Sequence, residues 1–167
     1  IGVSAYTPAV VSAAISSGMA EAIQIPASIL DHRFVRQGIC DRAKKRGVAV
    51  FVRSIYLQGL VLMPEDEIPP HLAQVIPIRR RLEALAKDGG MSIAELAVRH
   101  VLGMKGLTCA VVGAESVEQV RENVALFSKG PLDETLREAV DEAVPDLPEE
   151  IIFPARWSQS AGSQGKS

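Results

Sequence analysis

Short apolar runs alternate with helical patterns along this chain, and that alternation constrains its fold more than any other feature. Ile1–Ser4, Ala22–Ile25, Val48–Val52 and Thr108–Val112 read as strands. Val48-Ala49-Val50-Phe51-Val52 is apolar throughout and rich in β-branched residues, the pattern of a parallel strand covered on both faces. Thr7-Pro8 opens a helix, with Thr as N-cap and Pro at the first helical position. Apolar residues recur through Val10, Val11, Ala14 and Ile15 until Gly18 stops it. Asp31 to Arg46 reads as a second helix, whose basic last turn, Lys44-Lys45-Arg46, suits the negative end of the helix dipole. A proline-bearing insert (Pro64, Pro69, Pro70, Pro77) leads to helices near Ile78–Lys87 and Ser92–Leu102; Ser92 and Glu95 form a capping box. Helices over Val117–Leu126 and Leu132–Val144 complete the pattern.

Strand–helix alternation with apolar strands implies a parallel sheet. It closes either as an open doubly wound sheet or as a (β/α)8 barrel, of which four units are half. The GxGxxG fingerprint of a dinucleotide-binding open sheet is missing after the first strand, which favours the barrel. In a barrel, function sits on the loops at the C-terminal strand ends. Here those edges are Ser4-Ala5-Tyr6, Gln24-Ile25-Pro26, Arg53-Ser54 and Gly113-Ala114-Glu115-Ser116, small and polar enough to cradle a ligand. At 167 residues with 47% apolar content, the chain can build one core. A chain that opens inside a strand is expected to be the back part of a larger domain. Residues 1–153 read as that unit and 154–167, rich in Ser, Gln and Gly, as a mobile tail.

A net charge of −2 gives no electrostatic footprint for nucleic acid or a membrane surface. No apolar run reaches the roughly 18–20 residues of a membrane span. Cys40 and Cys109 lack metal or disulfide spacing and read as small buried hydrophobes in a reducing, cytoplasmic setting. His32, His71 and His100 show no metal-ligand spacing and read as structural. Arg79-Arg80-Arg81 reads as a solvated helix start.

The stretches IGVSAY, AIQIP, RGVAVFVRSIYLQGLVL, SIAELAVRHVL and VVGAESVEQVREN, in this order and spacing, resemble the C-terminal half of an aldo/keto reductase over roughly Ile1 to Leu136. LQGLVL and the loop after it look closest to bacterial members associated with sugar metabolism. The resemblance implies strands five to eight of a TIM barrel, a nicotinamide cofactor and a small carbonyl or sugar substrate. The cofactor it implies is NADP, with NAD as the alternative. By position, Ser4 and Gln24 would hold the nicotinamide carboxamide, which needs a donor and an acceptor together. Ala5 stands where the family commonly has Asn. Arg53 stands where many members stack an aromatic residue on the nicotinamide ring, and Ser54 lies near the pyrophosphate. Gly113 and Glu115 belong to a loop meeting a helix N-terminus, which favours an anion. Glu122 and Asn123 match the adenine contacts. Gln119 replaces an Arg that would bind the 2′-phosphate.

Each of these residues has a plainer reading. Ser4 and Ser54 could cap helices, Gln24 could be an ordinary polar rim, and Arg53 a surface ion pair. The family's catalytic Tyr, with its Asp, Lys and His, comes from the other half of the barrel, and none maps onto this chain. Three functions follow. The first is the cofactor-binding half of an oxidoreductase that reduces aldehydes or ketones, or oxidises the corresponding alcohols. The others are a non-catalytic nucleotide-binding half-barrel and a structural half-barrel. Unpaired strand edges make self-association a further expectation.

Overall fold

The computed structural model describes residues 1–157. Its strands are β1 (Gly2–Ser4), β2 (Ala22–Pro26), β3 (Ala49–Arg53) and β4 (Cys109–Ala110), all parallel and paired in the order β1-β2-β3-β4. That order separates the two architectures the sequence leaves open. A doubly wound sheet reverses its strand order at a switch point, whereas this sheet never does. Right-handed crossovers then all fall on one side, as in a run of consecutive units of a (β/α)8 barrel.

The register explains which face is covered. In β2 and β3, Ile23, Ile25, Val50 and Val52 are buried among Val11 and Ile15 of α1 (Pro8–Ser17), Phe34, Ile39, and Val98 and Val101 of α5 (Ile93–Leu102). Between them on the opposite face, Ser4, Gln24, Phe51 and Cys109 form one cross-strand row. Gln24 and Phe51 stay half-exposed, while Ser4 and Cys109 are exposed. Cover on both faces of β3 is thus found on one face only. The same row corrects the reading of Cys109: Cys40 is buried, but Cys109 lies open on the bare face of a short edge strand. The ladder itself runs past β4, since Thr108 donates to Val50 O at 2.9 Å and Val111 to Val52 O at 2.7 Å.

The helix expected over Asp31–Arg46 is two helices, α2 (Arg33–Arg36) and α3 (Ile39–Lys45). Gly38 between them has φ 63°, a left-handed conformation that breaks the helix and that glycine adopts without a Cβ penalty. The insert after β3 runs through two 3-10 turns, Glu65–Glu67 and Pro70–Val75, into α4 (Ile76–Asp88). Here Arg79 corrects the reading of a solvated arginine cluster. It is 5% exposed, donates Nε to Val61 O at 3.1 Å and a guanidinium nitrogen to Met63 O, and pairs with Glu83 at 2.6 Å. It ties the insert to α4 because the insert's carbonyls need donors that its irregular backbone does not supply. Ser92 caps α5, accepting from Glu95 N at 3.1 Å as the capping box requires.

Beyond β4 lie α6 (Val117–Phe127) and α7 (Glu134–Ala143). A short α8 (Glu149–Ile152) and a 3-10 turn (Pro154–Arg156) follow, neither foreseen from the sequence. Trp157 Nε1 donates to Ile151 O at 2.9 Å, which ties this residue of the expected tail to α8. Residues 158–167, the rest of that expected mobile tail, lie outside the described residues. Among the described residues no helix is long and apolar enough to cross a membrane.

Candidate functional site

The C-terminal ends of β1, β2 and β3 bring four sequence-predicted residues together in two pairs. Ser4 and Gln24 face one another in the β1–β2 register, and Ser4 Oγ donates to Gln24 Oε1 at 3.0 Å. This fixes the orientation of the Gln24 amide: its oxygen turns to Ser4, which leaves the NH2 end as an outward donor. Arg53 lies at the end of β3, aligned with Pro26, and its Nη1 donates to Ser54 Oγ at 3.2 Å. Ser54 has φ 63°, and Leu57 and Gln58 in the same loop also have positive φ. Non-glycine residues in that region each cost about 1–2 kcal/mol and concentrate at functional loops.

Arg53 does more than the sequence indicated. Its guanidinium stacks on the Tyr6 ring at 4.2 Å, and Tyr6 in turn meets Phe153 with ring centroids 4.7 Å apart. A cation over an aromatic face is held both by the ring quadrupole and by dispersion. Tyr6 matches no family role and Phe153 follows the last recognisable motif, so the sequence singles out neither. Their apolar character beside a charged strand end is the only sequence signal that could have found them. Tyr6 and Arg53, together with Trp157 and Ser54, wall a cavity of about 450 Å³ open to solvent. This is a ligand-sized concavity at the edge where barrel folds place their sites.

The other predicted residues lie elsewhere. Gly113, Glu115, Gln119, Glu122 and Asn123 sit on α6 and the loop before it, and none of them walls that cavity. Ser116 caps α6, accepting from Gln119 N at 3.2 Å, and Gln119 Oε1 accepts from Glu115 N at 2.7 Å. Gln119 is therefore engaged in a capping arrangement of its own. Gly113 is exposed, with open space where a Cβ would stand. Asn123 is half-buried, and its side chain makes no hydrogen bond among the described residues. Burial, reinforced by the nearby Glu122 carboxylate, raises the Tyr56 phenol above its usual range.

A second polar group lies on the helical side, where His32, His100 and Asp141 converge. Burial holds His32 down to about 4, helped by the neighbouring His100 and Arg36 against the pull of Asp141. Next to it, burial raises Asp31 to about 6 despite its contact with Arg33 at 3.0 Å. The His100 hydrogen bond holds Asp141 below the usual carboxylate range.

Among curated proteins, the chain is 31% identical to an L-galactose dehydrogenase from Arabidopsis thaliana over 125 residues, 70% of this chain and 38% of that protein. It is 25% identical to a pyridoxal 4-dehydrogenase from Microbacterium luteolum over 97 residues, 55% of this chain and 28% of that one. Among solved structures, an aldo-keto reductase from Bacillus halodurans in its holo form superposes with a TM-score of 0.74 at 23% identity, covering 90% of this chain and 52% of its own. A glycerol dehydrogenase from Gluconobacter oxydans superposes with a TM-score of 0.68 at 23% identity, covering 88% and 50%. These two structural likenesses speak for the fold alone. The chain spans about half the length of these solved structures and less of the curated relatives. Residues 1–145 match the family model described as the Aldo/keto reductase family, and the chain belongs to that family.

Proposed function

We propose that this chain forms the cofactor-binding half of a nicotinamide-dependent aldo/keto reductase that interconverts a small aldehyde or ketone with its alcohol. The observation that carries the reading is the Ser4–Gln24 hydrogen bond at the strand ends, with Arg53 and Ser54 at the neighbouring strand end. It presents an amide donor and a hydroxyl acceptor side by side, which a carboxamide can engage through its own oxygen and NH2 group. The Arg53 guanidinium lies over the Tyr6 ring at the adjacent cavity and offers a cation to a pyrophosphate. Asn123 on α6 has an amide free for an adenine edge. NADP is the cofactor proposed. Gln119, occupied with Glu115 N and bearing no charge, makes NAD the competing choice. The names of the curated relatives, a dehydrogenase of L-galactose and one of pyridoxal, support polyhydroxylated or aldehyde substrates.

The chain's own tyrosines do not suit the proton-transfer role. Tyr6 is taken up by Arg53 and Phe153, and Tyr56, half-buried, has its phenol raised rather than lowered. A general acid is most effective when its pKa lies near the working pH. The chemical half of the site therefore belongs, in this proposal, to the preceding half of the barrel, which would also cover the bare face bearing Gln24 and Phe51.

Fluorescence titration of the chain with NADPH and NADH tests the reading. Asn123→Ala should weaken binding by roughly 1–3 kcal/mol, the cost of leaving one polar partner unmatched. Gln119→Arg should favour NADPH over NADH through a charge-assisted pair. Unchanged affinities in both variants, with unchanged melting, would remove the adenosine end of the site.

A further inference from the structure

His32, His100 and Asp141 come from three separate elements: the turn after β2, α5 and α7. They are brought to one point. His100 Nε2 lies 2.9 Å from Asp141 Oδ1, and His32 Nδ1 lies 3.7 Å from the same oxygen. The three ligand atoms all fall within 4.8 Å of one another. The two imidazoles are nearly parallel, with centroids 4.9 Å apart and planes at 25°. Both histidine side chains are only 7% exposed, while the Asp141 side chain is 39% exposed and reaches the wall of a cavity of about 390 Å³. Each imidazole has a second ring nitrogen, His32 Nε2 and His100 Nδ1, buried without a hydrogen bond.

A buried polar atom without a partner is costly, and most such atoms in folded proteins are satisfied. The other nitrogens of the same two rings, His32 Nδ1 and His100 Nε2, are both aimed by the fold at one carboxylate oxygen, which goes beyond a single His–Asp contact. A tetrahedral Zn²⁺ with ligands at about 2.0–2.2 Å separates neighbouring ligand atoms by about 3.4 Å, which lies between the 2.9 Å and 3.7 Å found here. Imidazole nitrogen with a carboxylate oxygen is the donor set such borderline cations take. The surroundings already orient the carboxylate: Arg137 Nη1 donates to the other oxygen, Asp141 Oδ2, at 3.1 Å and leaves Oδ1 for the histidines. Arg36 Nη2 stands 3.4 Å from His32 Nδ1 and must give way. It has alternative acceptors in Val144 O at 2.8 Å and the Asp146 carboxylate.

We propose that His32 Nδ1, His100 Nε2 and Asp141 Oδ1 form a three-ligand site for a divalent transition cation of the Zn²⁺ class, with its fourth position open toward the adjacent cavity. The site lies on the helical side, is independent of the proposed cofactor contacts, and would clamp the turn after β2 to α5 and α7.

The test uses the full chain, stripped with EDTA and dialysed, in a Cys109→Ser background that removes the exposed thiol as a competing ligand. Co²⁺ is titrated while visible absorption is followed, and Zn²⁺ affinity is read by displacement. The expected result is one ion per chain with the intense bands of four-coordinate cobalt. His100→Gln and Asp141→Asn should each weaken binding by at least about 100-fold, whereas His71→Gln should leave it unchanged. Since a ligand variant could also loosen the fold, Arg36→Gln supplies an opposite readout. Removing that cation from His32 Nδ1 should tighten binding by about tenfold. Absence of a saturable cobalt spectrum at 100 μM metal, roughly a loose-site concentration, would overturn the assignment. So would equal affinity in the parent, His100→Gln and Asp141→Asn proteins, or no tightening in Arg36→Gln.

Discussion

Gly106 sits in the turn that feeds β4, with φ 88°, and it permits an approach that no other residue would. A Cβ built there would lie 2.6 Å from the carbonyl oxygen of Cys40 in α3, 2.9 Å from the carbonyl carbon and 3.3 Å from the Cys40 Cβ. The nearest groups are backbone and cannot swing aside. Gly38 makes a matched control, also left-handed at φ 63° but with its nearest neighbour, Arg42 Nη1, at 3.8 Å. Gly38→Ala should show only the left-handed penalty, about 1–2 kcal/mol less some unfolded-state entropy, or about 1 kcal/mol net. Gly106→Ala bears the same penalty and must also push α3 and the β4 turn apart by close to an ångström to restore ordinary contact. Overpacking of this kind costs about 1–3 kcal/mol, for a total of about 2–4 kcal/mol and a melting-point fall of roughly 4–16 °C at this chain size. Urea unfolding followed by circular dichroism measures both variants. Equal destabilisation, within about 0.5 kcal/mol, would refute the argument, because it would mean that α3 and the β4 turn are not held at the separation described.

Four further outcomes are expected. Asp31→Asn should steepen the loss of stability on acidification between pH 6 and pH 4, measured in EDTA. His32, held at about 4 against 6.5, lends stability that is complete above pH 6.5 and lost as pH falls, about 3 kcal/mol in all. Asp31, raised from 3.8 to about 6, opposes it, since its burial penalty is relieved over the same interval; a variant with the parent's pH profile would contradict this cancellation. Ser92→Ala should cost about 1 kcal/mol in a thermal melt through loss of the cap on Glu95 N, and an unaltered melt would count against that bond. Sedimentation should show self-association at micromolar concentration, because the sheet has a bare face and α6 exposes Val117, Val120 and Val124; a dispersed monomer would contradict it. The isolated chain should not turn over carbonyl compounds with NADPH, since a positioned general acid supplies about 10²–10⁴-fold. Turnover at a rate typical of the family would place the acid within this chain.

What was legible in the sequence follows from how local each cause is. Strands β1 to β3 and helices α1 and α4 to α6 are set by apolar periodicity and by caps a few residues away, so their bounds could be read to within a residue or two. The break between α2 and α3 was missed because Gly38 lies inside a run whose apolar spacing is helical on both sides. Arg79 was misread because a triplet of arginines resembles a solvated face. Only the folded insert, with the carbonyls of Val61 and Met63 turned toward α4, gives one of the three a buried role. Cys109 was misread because an apolar strand pattern does not reveal that one sheet face is bare. Of the site, the Ser4–Gln24 pair could be anticipated from the resemblance. The Tyr6–Arg53 stack and the His32–His100–Asp141 group could not, since they join residues far apart in the chain and follow no spacing rule.

One feature of the packing bears on how the chain comes apart. The buried side chains form two clusters, one between the sheet and its helices and one among α4, α5, α7 and α8, with Tyr56 touching both. The chain passes between them repeatedly: at Ala27 to Ile29, at Leu30 to Phe34, at Ile55 to Leu57, and inside α5, where Ala97 belongs to the second cluster and Val98 to the first. A single helix shared in this way couples the opening of one cluster to that of the other. Amide protons beneath Val50 and Val52 and those around Leu82 and Leu96 then exchange as one group with a common denaturant dependence. Truncating Tyr56 lowers the protection of both together, so the molecule melts as one block and has no seam at which to unzip.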